Sequence, residues 1–273
     1  MKAQFDHEAI TSFFYWLDNY LLLQEAYQVK TGIFYPQPAK IGSDYVYSAP
    51  TAQFVSDSDI TGAYIPSGAT INGTWYARGA SGVKIDFLNG RIYTSIPNAT
   101  ITGQYTQKDF NIYLANSEED AQLLLNKAYN GEDIFAIESG SVPGDYIAPC
   151  ALIAPGNSDN TPLAIGGMDE TNVPVSIMLI SDDYYKIIGA KSILRDANDK
   201  CFYRFPITDE PYTIYGDLKS SGYSYTDLTT GRGANNLLFI DKVRTFPIKK
   251  ELNQRRDFYV YLIEMDIKDY RLT

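Results

Sequence analysis

The chain has 273 residues, 23 Lys+Arg against 33 Asp+Glu, and a formal net charge of -10 at pH 7. Its length allows one large domain or two smaller ones and buries enough surface to fold without a metal or disulfide staple. The acidic balance is the opposite of what a nucleic-acid binder working by phosphate neutralisation carries. Hydrophobic residues make up 45% and aromatics 14%, driven by 23 Tyr and 13 Phe. This is the profile of a folded, strand-favouring protein rather than a disordered one. The longest apolar stretch, Phe13 to Leu23, is interrupted by Asp18 and Asn19, so no membrane span is expected. Met1-Lys2 runs into Asp6 and Glu8 with no small-residue cleavage site behind, which points to a product of the cytoplasm without a signal peptide. Cys150 and Cys201 read as reduced, apolar thiols that pair only if the fold brings them together.

Asp6 as N-cap, Glu8 in the first turn and the Gly32 stop before Pro36 predict a long N-terminal helix, an arm over residues 1-32. Its apolar set, including Phe13, Trp16 and Tyr20, is wider than the stripe of a surface helix. Part of that surface is expected to pack on the chain's own body and part against another subunit. Residues 33-273 then read as a β-rich body with two possible lobes, 33-139 and 140-273. Val83, Ile85 and Phe87 alternate with Lys84 and Asp86 ahead of Asn89-Gly90, which predicts a hairpin closed by a two-residue turn and returning over Ile92–Ser95. A second strand pair is expected around Ile101–Tyr105 and Phe110–Leu114. Ser117-Glu118-Glu119-Asp120 opens one further helix that Gly131 ends, and a strand follows near Ile134–Ile137. Gly140 to Pro174 is rich in Gly, Pro, Asn and Asp and reads as long loops around an apolar piece, Ala148–Ala154. Strands are expected at Val175–Ile180, Tyr184–Ile188, Ser192–Leu194, Leu237–Ile240 and Phe258–Ile267, with a Gly/Ser/Thr/Tyr-rich loop between Tyr212 and Arg232. The fold class is α+β, a strand-dominated antiparallel body with a long N-terminal helix and one further helix.

No constellation for catalysis stands out, and no catalytic, cofactor or metal residue is assigned. The single histidine, His7, lies near the N-terminus, where a solvated first-turn side chain is the simpler reading than a triad member. One His and two distant Cys do not make a zinc site. Gly231-Arg232-Gly233 lacks the third glycine and the helix of a phosphate loop. Asp57-Ser58-Asp59-Ile60-Thr61-Gly62 has the oxygen spacing of a calcium loop, but Gly68 stands where a bidentate Glu is needed; Asp196-Ala197-Asn198-Asp199-Lys200 places a lysine at its fifth position. Tyr223 and Tyr225 are candidates for stacking on a sugar ring, against a plainer role in packing. Lys242, Arg244, Lys249, Lys250, Arg255 and Arg256 form a basic window in an acidic chain, suited to an acidic neighbouring surface.

The strings Ser81-Gly82-Val83-Lys84-Ile85-Asp86-Phe87-Leu88-Asn89-Gly90-Arg91 and Tyr105-Thr106-Gln107-Lys108-Asp109-Phe110-Asn111, the helix at Ser117–Asn130 and the block Lys191-Ser192-Ile193-Leu194-Arg195-Asp196 resemble virion structural proteins of tailed bacteriophages, of the neck, tail-completion and tail-terminator type. The resemblance covers about a third of the chain, and the last hundred residues exceed the usual length of tail terminators. It implies a non-enzymatic head-tail connector component that assembles as a hexameric or dodecameric ring with itself and other virion proteins. DNA would pass through such a ring during ejection without specific binding. Phe13, Trp16, Tyr20, Arg255 and Arg256 are then the expected subunit-interface residues, and the location is the virion after synthesis in the host cytoplasm. The alternative is a carbohydrate- or receptor-binding β-rich module, as in a phage fibre or a lectin.

Overall fold

Strand-forming Tyr, Ile, Val and Thr segments separated by Gly and Asn turns fold into two antiparallel sheets in a computed structural model, which describes residues 5-51, 53-115, 148-164, 167-247 and 259-272. The chain divides into two compact units. One comprises Met1–Gln24, Ile112–Thr208 and Thr229–Thr273; the other comprises Glu25–Asn111 and Asp209–Leu228. Strands dominate both, as the composition predicts.

The unit built on Glu25–Asn111 holds β1 (Tyr27–Ile41), β2 (Asp44–Ser48), β3 (Gly68–Ile71), β4 (Thr74–Ala77), β5 (Lys84–Asp86), β6 (Arg91–Thr94) and β7 (Ile101–Lys108) in the order β4-β3-β7-β1-β2-β6-β5. The long β1 changes partner midway: Tyr27 to Phe34 pairs with β7, and Tyr35 onward pairs with β2. Phe34, Phe54 and Tyr105 cluster in its core, with the Phe54 and Tyr105 ring centroids 4.6 Å apart. Asn72-Gly73 makes the β3–β4 turn with both residues at positive φ, the conformation that a two-residue hairpin requires.

The predicted hairpin is present, but its turn differs. Asp86 pairs with Arg91, so Phe87 to Gly90 forms a four-residue connection instead of the expected two-residue turn. The cause is the Asp86 side chain, whose Oδ1 accepts from the Leu88 and Asn89 N–H groups at 3.1 and 3.0 Å and so opens the loop two residues earlier on the β5 side, while the return strand still starts at Arg91.

The other unit holds β8 (Asn111–Leu114), β9 (Cys150–Pro155), β10 (Asp159–Ala164), β11 (Met168–Ser181), β12 (Cys201–Tyr203), β13 (Leu237–Pro247) and β14 (Tyr259–Leu272) in the order β12-β13-β14-β11-β9-β8, with β10 on β11. β7 and β8 do not pair with each other, contrary to the expected strand pair; β7 lies against β1 and β8 against β9. Phe110 therefore marks where the chain changes sheet. Much of the stretch expected as loops is strand: β9, β10 and the start of β11 fall within it. None of the three carries the alternation that marks a strand: β9 is a continuous apolar run, buried up to Ala154, and β10 and the start of β11 run through blocks of polar residues.

Helix α1 (Phe5–Leu23) and helix α2 (Tyr184–Arg195) cover the apolar face of this second sheet. α2 replaces the two strands expected there. Asp183 caps it by accepting from the Tyr185 and Lys186 N–H groups, and Ile187, Ala190 and Leu194 recur at helical spacing on its buried side. The short helix α3 (Tyr225–Thr229) starts in the Asp209–Leu228 segment and ends one residue beyond it. The predicted helix at Ser117–Asn130 and the strand near Ile134–Ile137 lie outside the described residues.

Candidate interaction surfaces

The helix residues expected at a subunit interface find partners within one chain. Phe13 is fully buried and Trp16 nearly so. Their rings lie 5.6 Å apart, and both meet Phe202 of β12, at 5.7 and 5.6 Å. Tyr20 stacks on Trp16 at 4.9 Å and its hydroxyl donates to the Ile193 carbonyl of α2 at 3.4 Å. Burial, with the nearby Asp196 charge, pushes that phenol up. The wide apolar set of α1 is thus largely explained by intrachain packing, helped by the Ser12 hydroxyl, which accepts from the Phe205 N–H at 3.0 Å. Leu23, at the helix end, stays exposed. Arg255 and Arg256, with Lys249 and Lys250, lie outside the described residues. Lys242 and Arg244 stand exposed on β13 opposite the acids of β14, Lys242 Nζ being 3.9 Å from Asp266.

His7 is exposed in the first turn of α1. Cys150 is buried on β9 and Cys201 exposed on β12. Four strand spacings separate them in the sheet order, roughly 19 Å, far beyond disulfide reach. Burial pushes the Cys150 thiol up to about 12, so it behaves as an inert apolar group.

The calcium-like loop has a structural use. Asp57, almost fully buried, accepts from the Asp59 and Tyr225 N–H groups at 3.0 and 3.2 Å. Asp59 accepts from the Ser224 hydroxyl at 2.9 Å and the Thr226 N–H at 2.8 Å. Desolvation pushes the Asp59 carboxyl up, but these bonds outweigh it and hold the group below the usual range. Both acids thereby serve the start of α3. Tyr223 is buried and packs on Tyr212 at 6.2 Å, while Tyr225 is half-buried at the start of α3. Among the described residues no three His, Cys, Asp or Glu side chains gather as metal ligands.

What remains exposed is sheet. In the first unit, Ile33 of β1, Thr102 of β7, Thr70 of β3 and Trp75 of β4 stand directly opposite one another across four strands. They form one row on one face, with Trp75 58% and Ile33 51% exposed and Tyr35 beside them at 55%. The next row, Phe34, Ile101 and Ile71, points to the other face and is buried. In the second unit the face away from α1 and α2 carries Phe239 and Tyr270, whose rings lie 5.6 Å apart. Beside them Lys268 Nζ sits 3.0 Å from Glu170 and 3.1 Å from Asp241. Those two hydrogen bonds push the ammonium up; against its own desolvation, Asp241 is held down by the bond from Lys268 and by the Lys268 and Lys242 charges.

Sequence reasoning did not single out Trp75, Ile33 or Phe239. The Asn72-Gly73 turn marks the β3–β4 hairpin, but which face meets solvent depends on the pairing of β3 with β7, a contact distant in sequence. No protein-family model matches the chain, and no curated protein matches it.

Proposed function

We propose that this chain is a non-enzymatic structural subunit of a tailed-phage virion, a ring-forming component of the neck or tail end through which DNA passes. The observation that carries this reading is the exposed row across the first sheet, with Trp75 and Ile33 at its ends and Thr70 and Thr102 between them. A sheet face that exposes a tryptophan, an isoleucine and a tyrosine is a surface for protein contact. The phenylalanine and tyrosine pair on the second sheet adds a further contact face, and a ring of identical subunits uses two different faces of each copy. The net charge of -10 suits a channel that DNA traverses without sticking.

Light scattering and negative-stain electron microscopy of the purified chain, alone and with capsid-portal or tail proteins, test the reading. Six- or twelve-membered rings around an open channel are expected. Failure to form rings under all these conditions overturns it. The exposed Trp75 beside the half-buried Thr70 hydroxyl also favours a second reading, a carbohydrate-binding face, because an indole plane next to a hydroxyl suits a sugar ring. Binding to a glycan array that is lost in Trp75→Ala would select it.

A further inference from the structure

Strand β1 has an open edge. From Tyr27 to Phe34 it pairs with β7 on one side, and β2 occupies its other side only from Tyr35. The bonding polarity of β7 fixes which backbone groups face outward. The Val55 N–H donates to the Thr106 carbonyl and the Lys108 N–H donates to the Gln53 carbonyl. Thr106 and Lys108 therefore point away from β1, and Ile101, Gly103, Tyr105 and Gln107, between the residues of that set, point toward it. Their partners are Phe34, Gly32, Lys30 and Gln28. By alternation the N–H and C=O groups of Val29, Thr31 and Ile33 face outward. Among the described residues no strand meets them, and all three residues are exposed.

An open backbone edge is complementary to another extended strand, and the side chains say which one. From Tyr27 to Tyr35 the sequence is Tyr-Gln-Val-Lys-Thr-Gly-Ile-Phe-Tyr. The odd-numbered positions read Tyr, Val, Thr, Ile, Tyr, which is symmetric in character about Thr31. A second copy turned by a two-fold axis at Thr31 sets Val29 opposite Ile33 and Thr31 opposite itself, pairs of the kind that stabilise antiparallel strands. The one charge in the stretch, Lys30, then falls opposite Gly32. Centring the axis on Lys30 would instead place two ammonium groups face to face.

Gly32 supplies an independent observation. Glycine inside a strand is unfavourable and marks a bulge, a bend or a close approach. Its partner Gly103 is accounted for within the chain, because a Cβ there would lie 3.3 Å from the Phe34 ring. Gly32 is not: it has no positive φ, and a Cβ added to it meets nothing within 4 Å. A single copy gives no reason for glycine at this position. In the two-fold pair it is the residue over which the Lys30 stem of the other copy lies.

We propose that Val29 to Ile33 of two copies of this chain pair as antiparallel edge strands about a two-fold axis at Thr31. The contact is isologous and closes at two copies, so it is separate from the head-to-tail contacts of a ring and stands or falls independently of the phage reading. Cysteine cross-linking tests it, in a Cys201→Ser background because Cys201 is exposed. Directly opposed, hydrogen-bonded residues have Cα atoms about 5.5 Å apart, within disulfide range. Thr31→Cys is expected to give a covalent dimer on mild oxidation, and Val29→Cys alone to cross-link roughly tenfold more slowly. The double variant Val29→Cys/Ile33→Cys should recover the fast reaction. Thr31→Pro removes an outward N–H and leaves the β7 ladder intact, so it should abolish the dimer in sedimentation while circular dichroism stays unchanged. Equal cross-linking at 29 and 31, a monomer at every concentration, or a dimer that survives in folded Thr31→Pro would overturn the proposal. If Thr31→Pro fails to fold, the cross-linking pattern decides alone.

Discussion

Asp86 shows how much one buried carboxylate organises. It accepts from the Tyr93 hydroxyl at 2.6 Å and the Asn89 side-chain amide at 2.8 Å, besides the two backbone N–H groups of its own turn. Directly above it runs Gly216, whose carbonyl accepts from the Phe87 N–H at 3.0 Å. Gly216 has φ +74, and a Cβ there would come 2.0 Å from Asp86 Oδ1. Gly216→Ala combines left-handed strain with overpacking and should cost about 2–4 kcal/mol in urea unfolding. Desolvation raises the Asp86 carboxyl, although the bonds from Tyr93 and Asn89 and the Arg91 charge pull it down. Desolvation likewise raises its neighbour Asp217, against the Arg78 guanidinium 3.1 Å away. A carboxyl whose folded pKa lies above its unfolded one binds more protons when folded, so its contribution to stability improves as pH falls through that window. Wild type should therefore gain stability relative to Asp86→Asn on acidification from neutral pH toward the ordinary carboxylate range. Paired denaturant titrations over that range check the sign; a gap that moves the other way would show that the hydrogen bonds, not burial, set this group.

Among the elements, the Asp209–Leu228 segment depends on side chains that reach it from the strands and loops of its own unit. Arg78 bonds Asp217 and the Ser220 carbonyl. The Ser58 N–H and hydroxyl both donate to the Tyr223 carbonyl, and Asp59 holds the start of α3. Asp59→Ala should cost about 1 kcal/mol, the loss of a helix cap, and should speed hydrogen exchange in Tyr225–Thr229. Because the folded Asp59 carboxyl lies below its ordinary value, wild type should lose the same protection as pH falls through its folded pKa. None of these partners is near in sequence. The turn spacing of Asp57 and Asp59 was legible, and so was its likeness to a calcium loop, but the α3 N–H groups that they bind lie 168 and 167 residues away. Elements with local signals read well: α1 from its apolar width, β13 and β14 from alternation, the β5–β6 hairpin from Asn89-Gly90. The bounds of α1 did not: Asp6, the expected cap, lies inside the helix, which ends at Leu23, and the stretch up to the expected Gly32 stop belongs instead to β1, where Tyr27, Val29 and Ile33 favour a strand. α2 carried a local signal too, Asp183 followed by Ile187, Ala190 and Leu194, yet Tyr184 to Ile188 is rich enough in aromatic and β-branched residues to read as strand. The destination of the α1 apolar face depended on Phe202, which no periodicity places beside Phe13.

At the scale of the whole molecule, covered and uncovered aromatics separate folding from assembly. Phe13 is fully buried against Trp16 and Phe202, so Phe13→Ala should destabilise its unit by about 3–5 kcal/mol. Any loss of assembly in that variant would follow from unfolding. Trp75, 58% exposed on an outer sheet strand, contributes little to the fold, and Trp75→Ala should leave unfolding within about 0.5 kcal/mol of wild type. If the row that Trp75 heads is a contact between subunits, the same substitution should weaken assembly, because large aromatics dominate the energetics of interface cores. Ionic strength distinguishes this apolar contact from a charged one. If Arg255 and Arg256 also lie between subunits, as the proposed ring expects, their reversal to Glu should weaken assembly in a way that salt masks, since charge contacts open to solvent are screened over about 10 Å at 0.1 M. The Trp75→Ala defect should persist at high salt, where apolar contacts are not screened. Light scattering of both variants across a salt series reads the difference. Normal assembly of a folded Trp75→Ala chain at every salt concentration would remove this row from the interface and leave its aromatic surface to the carbohydrate reading.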